Sequence, residues 1–224
     1  MKLYYHPAST TSRPLVMFIE ENAIPAELQV VDLFSGEHLG PAYDAVNPSH
    51  LVPVLEEGDF RLTESSAILK YLADRIDSPL YPKDLQERAR VNEMMDWINT
   101  QLNRDLCYGT VYSQIFPHHK RPTEEGQRVT VAWGQERARQ WMAVLDQRLL
   151  GADKPFLCGA RMTIADYYGA SFVYMAEVIG SDLAAYPNVR RWLGRMKELP
   201  TWKKIYAAID GFAQQLPKGQ LAMV

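Results

Sequence analysis

The chain has 224 residues, 47% of them hydrophobic and 23% charged, with a formal net charge of -3. That length fits one large domain or two small ones with ample core, and that charge argues against nucleic acid or an anionic membrane surface as a partner. Two cysteines, Cys107 and Cys158, make no disulfide framework. No apolar run reaches bilayer-spanning length and the opening Met1–Pro7 lacks the apolar core of a signal peptide, so a cytoplasmic protein is expected.

The first third mixes strands and helices. Lys2–Tyr5 reads as a strand. Ser12 then stands as a helix cap with Pro14 in the first turn, and Leu15, Phe18 and Ile19 mark a buried face. Pro25 stops that helix, and Glu27–Val31 reads as a second strand. Gly40–Val46 suits a short helix, ended by Asn47-Pro48. Val52–Glu56 and Phe60–Leu62 flank Gly58-Asp59 as a two-strand hairpin. Thr63 is placed to cap the next helix, whose core face is Ile68, Tyr71, Leu72 and Ile76. The order is βαβαββα.

Asp77–Pro82 breaks the pattern, and after it strand signals vanish. Glu87–Tyr112 is a long helical run, Pro117–Pro122 a loop, and Thr123–Leu149 a second long helix. Thr163-Ile164-Ala165-Asp166 opens a third, with capping-box spacing but Asp in place of Glu. Pro187 and Pro200 mark two further starts. The reading is an α/β domain over residues 1–78 followed by an all-helical domain over residues 86–224.

The stretch Tyr4-Tyr5-His6-Pro7-Ala8-Ser9-Thr10-Thr11-Ser12-Arg13 carries most of the chemistry. It sets four hydroxyls where a strand end meets a helix N-terminus, whose free N–H groups and dipole favour anions. A hydroxyl here forms no disulfide, but it donates a hydrogen bond to a thiolate bound beside it.

Five stretches, in order and properly spaced, resemble the cytosolic glutathione transferases, with the serine-type delta and theta classes nearest. They are Tyr4–Ser9, Gly36-Glu37-His38-Leu39, Asn47–Leu55, Glu64-Ser65-Ser66-Ala67-Ile68 and Thr163–Asp166. The resemblance covers almost the whole chain. It implies a thioredoxin-like first domain, a helical second domain, reduced glutathione as co-substrate and conjugation to apolar electrophiles. It also implies a two-fold homodimer. Dehalogenase and ether-cleaving chemistry draw on the same thiolate, and a non-catalytic binding module is the reading outside catalysis.

Residue by residue, the resemblance puts Ser9 against the glutathione sulfur. Thr10, Thr11 and Ser12 stay as rivals, and Arg13 as a supporting residue or a member of an ordinary salt bridge. A thiol of pKa about 8.5 needs roughly 2.7 kcal/mol to fall by about two pH units. One hydrogen bond to a charged group supplies about 1.5–3 kcal/mol of that. Glu64 and Ser65 would take the γ-glutamyl end, unless they only start a helix. Val52-Pro53 resembles the family's cis-proline turn, whose backbone pairs with a peptide; the competing reading is a trans edge-strand proline. His38 and His50 match histidines near the glycine end, and otherwise are loop residues. Ser66 departs from an arginine common in the delta class.

Leu106, Tyr108, Tyr112 and Phe116 resemble the electrophile site, against the competing reading of core packing. Cys107 reads as a buried inert thiol, His118-His119 as exposed loop, and Asp166 as a structural cap. No set of ligands has metal spacing.

Overall fold

The computed structural model describes residues 1–217 and 219–224. Its α/β part runs β1 Lys2–Tyr5, α1 Arg13–Glu21, β2 Glu27–Val30, α2 Pro41–Asp44, β3 Val54–Glu57, β4 Phe60–Leu62 and α3 Ser65–Arg75. This is the expected βαβαββα order, with one 3-10 turn at Glu37–Leu39. The sheet order is β2-β1-β3-β4. β1 runs parallel to β2, with Leu3 opposite Leu28, and antiparallel to β3, with Leu3 opposite Leu55. Side chains alternate across a strand, so Leu3 and Leu55 enter the main core with Leu15, Phe18, Ile68 and Leu72. Val54 goes to the other face, with Val31 and Tyr43.

Three details of this half differ from the sequence reading. Ser12 does not cap α1, because its hydroxyl is buried and unpartnered; Ser9 Oγ accepts from the Ser12 N–H at 3.3 Å instead. The first turn thus starts at Ser9, whose carbonyl also takes the N–H of Arg13. The N-cap of α3 is Glu64 rather than Thr63. Ile76 is 38% exposed, because α3 ends at Arg75 and leaves it beyond the last turn.

The helical part opens with α4 Leu85–Trp97. It continues through Ile98–Tyr112 with the wider turns of a π-helix and ends in the short α5 Ser113–Ile115. Asp84 caps α4, accepting from Gln86 and Glu87 N–H groups. Then come α6 Glu124–Val144, α7 Ile164–Val178, α8 Pro187–Lys197 and α9 Trp202–Ala213. Among the described residues no helix is long and apolar enough to cross a membrane.

Helix α7 is buried along most of its length and is the hub of this half. Its capping box at Thr163 and Asp166 is present. Asp166 also accepts from the Leu157 N–H at 2.8 Å and the Trp192 indole N–H at 2.9 Å, so one buried carboxylate ties the preceding loop and α8 to the start of α7. A single apolar cluster joins both halves, from Leu3 and Phe18 through Tyr167 and Phe172 to Ile209.

Helix α6 crosses the Ile98–Tyr112 segment at two glycines. A Cβ added to Gly134 would lie 2.5 Å from the Gly109 carbonyl carbon and 2.8 Å from its Cα. Backbone cannot yield as a side chain does, so Gly134→Ala is expected to destabilise by about 2 kcal/mol despite the better helix propensity of alanine. Gly194→Ala in α8, where the space is open, is expected to stabilise by about 0.5–1 kcal/mol. Urea unfolding of both variants checks the opposite signs.

Candidate active site

The loop between β1 and α1 faces a cavity of about 430 Å³ at the junction of the two halves. Ser9, Thr10, Thr11, His38, His50 and Val52 line it from the α/β half, and Tyr108, Tyr112 and Phe116 from the helical half. A smaller polar lobe of about 130 Å³ adjoins it through the shared Thr11, Leu51, Val52 and Tyr108. Pro53, Glu64, Ser65, Asn99 and Asn103 line that lobe. The two spaces bring together every expected site residue except Leu106. Leu106 is fully buried and packs in the core. The reason is angular: Tyr108, Tyr112 and Phe116 step by four and share one side of the helix, while Leu106 lies two residues from Tyr108 and points elsewhere.

Hydrogen bonds sort the four hydroxyls. Thr11 Oγ1 donates to the Val52 carbonyl at 3.1 Å. Its single proton is thereby used, so in the 3.1 Å contact between Ser9 Oγ and Thr11 Oγ1 the serine donates. Ser9 also accepts from the Ser12 N–H, and so stands half-buried at the cavity with one donatable proton. Thr10 is 4% exposed and gives its carbonyl to Ser171. Ser12 lies wholly inside and does not line the cavity.

Arg13 fixes this loop to the helical half. It is 1% exposed, and among the described residues no carboxylate pairs with it. Its Nη1 donates to the Ala8 carbonyl at 2.8 Å, its Nη2 to the Ser171 carbonyl at 3.4 Å and the Met175 sulfur at 3.3 Å. The guanidinium also sits over the Tyr206 ring, 4.9 Å from its centroid. Ser171 Oγ donates to the Thr10 carbonyl at 2.6 Å, adding a second tie to α7. Burial raises the pKa of Cys107 and of Tyr112, and the positive field of Arg13 offsets part of that rise.

The Val52-Pro53 bond is cis, and Pro53 is buried in front of β3. Glu64 has φ +65°, a left-handed backbone that costs a non-glycine residue about 1–3 kcal/mol. It places Glu64 at the rim of the polar lobe while Ser65, 5% exposed, begins α3. Asn103 is a residue that sequence reading missed. Its Oδ1 is buried and unpartnered beside this lobe, while its Nδ2 donates to Asn99. No spacing distinguishes it, because it is one polar residue on a largely buried helix.

His50 is held by the fold. Its Nδ1 donates to the His38 carbonyl at 2.7 Å and its Nε2 lies 3.3 Å from Asp44. His38 Nδ1 is buried and unpartnered, and burial with nearby His118 and His50 pushes its pKa down. Tyr108 and Tyr112 meet edge to face at 5.1 Å, and Phe116 follows at 5.4 Å. Burial raises the pKa of both tyrosines, so they stay neutral near pH 7. Cys107 is buried and its thiol is pushed up to about 12 by desolvation, the inert thiol expected. His118 and His119 do lie on a loop, but their rings line the cavity.

A polar lobe that opens past a hydroxyl into an aromatic chamber is the layout of a site holding two molecules side by side. The first part of the chain, residues 8–75, matches the family model for the glutathione S-transferase N-terminal domain, and residues 111–200 match that for the C-terminal domain. The chain is 35% identical over 207 residues to human glutathione S-transferase theta-2, covering 88% of this chain and 80% of that protein. It is 38% identical over 203 residues to the theta-1 enzyme of Bos taurus, with 88% and 82% covered. A solved structure of human glutathione transferase theta-2 with glutathione and an unknown ligand superposes with a TM-score of 0.84 at 30% identity, covering 99% of this chain and 92% of that one. The chain belongs to the glutathione S-transferase family.

Replacing Arg13 by methionine keeps much of the volume and removes the donors to Ala8 and Ser171. We expect Arg13→Met to lower thermal stability by about 2–4 kcal/mol, because two buried carbonyls lose charged donors. Calorimetric unfolding measures that loss, and proteolysis within the Ala8–Ser12 loop should accelerate.

Proposed function

We propose that this glutathione transferase binds reduced glutathione along Val52-Pro53, with its γ-glutamyl end in the polar lobe and its sulfur at Ser9. The observation that carries the reading is the hydroxyl relay. Thr11 is committed to the Val52 carbonyl, which leaves Ser9 as the hydroxyl able to turn its proton to a new acceptor. Serine is neither base nor nucleophile in this scheme. It stabilises a thiolate, helped by the first-turn N–H groups and by Arg13 behind the loop. In the lobe, Glu64 and the Asn103 Oδ1 suit the ammonium group, and Ser65 with the α3 N-terminus suits the carboxylate. His38 and His50 stand toward the glycine end.

The electrophile lies against Tyr108, Tyr112 and Phe116. Holding it beside the thiolate supplies much of the rate through proximity. The sulfur attacks with its electron pair, and the leaving group departs with the pair of the broken bond.

We also read the chain as a cytoplasmic two-fold dimer. Phe60 on the edge strand β4 and Ile76 after α3, and Val129 and Trp133 on α6, are large apolar side chains left exposed. One subunit's α/β half against the other's helical half would cover both sets. Sedimentation equilibrium should return twice the chain mass.

Ser9→Ala should raise the pKa of bound glutathione by about 1–2 pH units, the loss of one hydrogen bond to a charged group. Turnover of chlorodinitrobenzene near pH 7 should then fall roughly ten- to a hundredfold while the KM for glutathione changes little. The pH profile of kcat/KM should move to higher pH. An unchanged profile in Ser9→Ala removes Ser9 from the mechanism.

A further inference from the structure

The chain contains five histidines, and all five, His6, His38, His50, His118 and His119, line the one cavity. They come from four separate loops, so no single turn explains the convergence. Two of them are committed to the fold. His50 binds the His38 carbonyl and Asp44, and His6 Nδ1 accepts from the Ala8 N–H at 3.2 Å while its ring meets Phe34 edge-on. The other three keep free ring nitrogens. His38 Nδ1 is unpartnered. His118 stacks on Phe116 with planes 17° apart, and His119 lies 4.3 Å from His118 and edge-on to Tyr108.

Among the described residues no three His, Cys, Asp or Glu side chains have ligating geometry. Nor does the histidine group have enough acids to balance its protons. Asp44 faces His50, and Asp32 beside His6 already accepts from the Phe34 and Ser35 N–H groups. Glu64 belongs to the polar lobe, and Tyr108 and Tyr112 stay neutral. Arg121 adds positive charge near His119, and His118 acts on both His38 and His119. An anion would supply what these imidazoles lack, and Phe116 with His118 offers a flat surface next to it.

Building on the proposed function, we infer that the preferred electrophile is an aromatic molecule bearing an acidic group, stacked on Phe116 with that group on His118 and His119. The reaction is the substitution already described: a carbon–sulfur bond forms, and chloride leaves with the carbon–chlorine pair. Burial and neighbouring cations lower the pKa of His38 and His119, so without the anion they are neutral near pH 7. The anion favours their charged forms, so its binding takes up protons and strengthens as pH falls through the imidazole range.

The experiment compares kcat/KM for a chloronitrobenzoate, ionised throughout, with that for neutral chlorodinitrobenzene under saturating glutathione. The ratio of acid to neutral substrate should rise about tenfold between about pH 8 and about pH 6 in the parent enzyme. In the His118→Gln/His119→Gln double variant it should be about tenfold lower near pH 6 and flat with pH. A fixed cation in His119→Lys should restore a high ratio without the pH dependence, which a merely structural role would not do. A flat ratio in the parent, or an unchanged ratio in the double variant, overturns the inference. If chlorodinitrobenzene is turned over equally by Ser9→Ala, the underlying reading of Ser9 fails instead.

Discussion

The site depends on a buried cation that has no buried anion. Arg13 leaves water on the first turn of α1 and is held by carbonyls of Ala8 and Ser171, the Met175 sulfur and the face of Tyr206, while its Nε has no partner among the described residues. An unpaired buried charge is costly unless its donors are used and its field is put to work. Here one donor holds the hydroxyl loop from behind at Ala8, and the other reaches across to Ser171 and Met175 on α7 of the helical half. Arg13 is therefore one of the side chains spanning the junction that set the position of Ser9 relative to Tyr112 and Phe116. A salt bridge would have neutralised that charge. Carbonyl and ring partners leave its field available to an anion in the cavity.

The same junction explains why the two halves act together. The apolar cluster is continuous across them, and Glu21 of α1 accepts from Tyr167 on α7 and from Thr201 before α9. Thr10 is tied to Ser171 in turn. A thiol subsite on one domain and an aromatic chamber on another would drift apart if the domains hinged freely, and proximity would lose its value. The bonds from α1 and its loop to α7 and α9 remove that freedom.

Much of this was legible in the residues, and the exceptions share a cause. Strands β1 to β4 followed from short β-branched and aromatic runs between turn residues, and the long helices from periodicity. The Thr163–Asp166 box was readable because capping is local. What failed was side-chain assignment at helix ends. Ser12 looks like a cap, yet the chain bends one turn earlier and gives that work to Ser9. Thr63 yields to Glu64 because a left-handed backbone sits between strand and helix. Leu106 shares with Tyr108, Tyr112 and Phe116 a roughly helical spacing that resembles the electrophile site, whereas the competing reading of core packing holds for it. Asn103 and the histidines carry no periodic signal; only the fold brings them to one place.

That last point bears on how a family with one fold takes many substrates. The side of the cavity proposed for the sulfur is built from backbone: a strand end, a cis peptide and the first turns of α1 and α3. The opposite wall is built from side chains on the end of a helix and the loop after it, Tyr108 through His119. Tyr112 is anchored in the core, whereas Tyr108 and His118 are exposed, Tyr108 packing on Tyr112 and His119 and His118 on Phe116 and His119. Substitution there changes which electrophile is held without disturbing Arg13 or the relay from Thr11 to Val52. On the proposed reading, the division between a wall set by backbone and a wall set by side chains lets thiolate stabilisation and substrate choice vary independently.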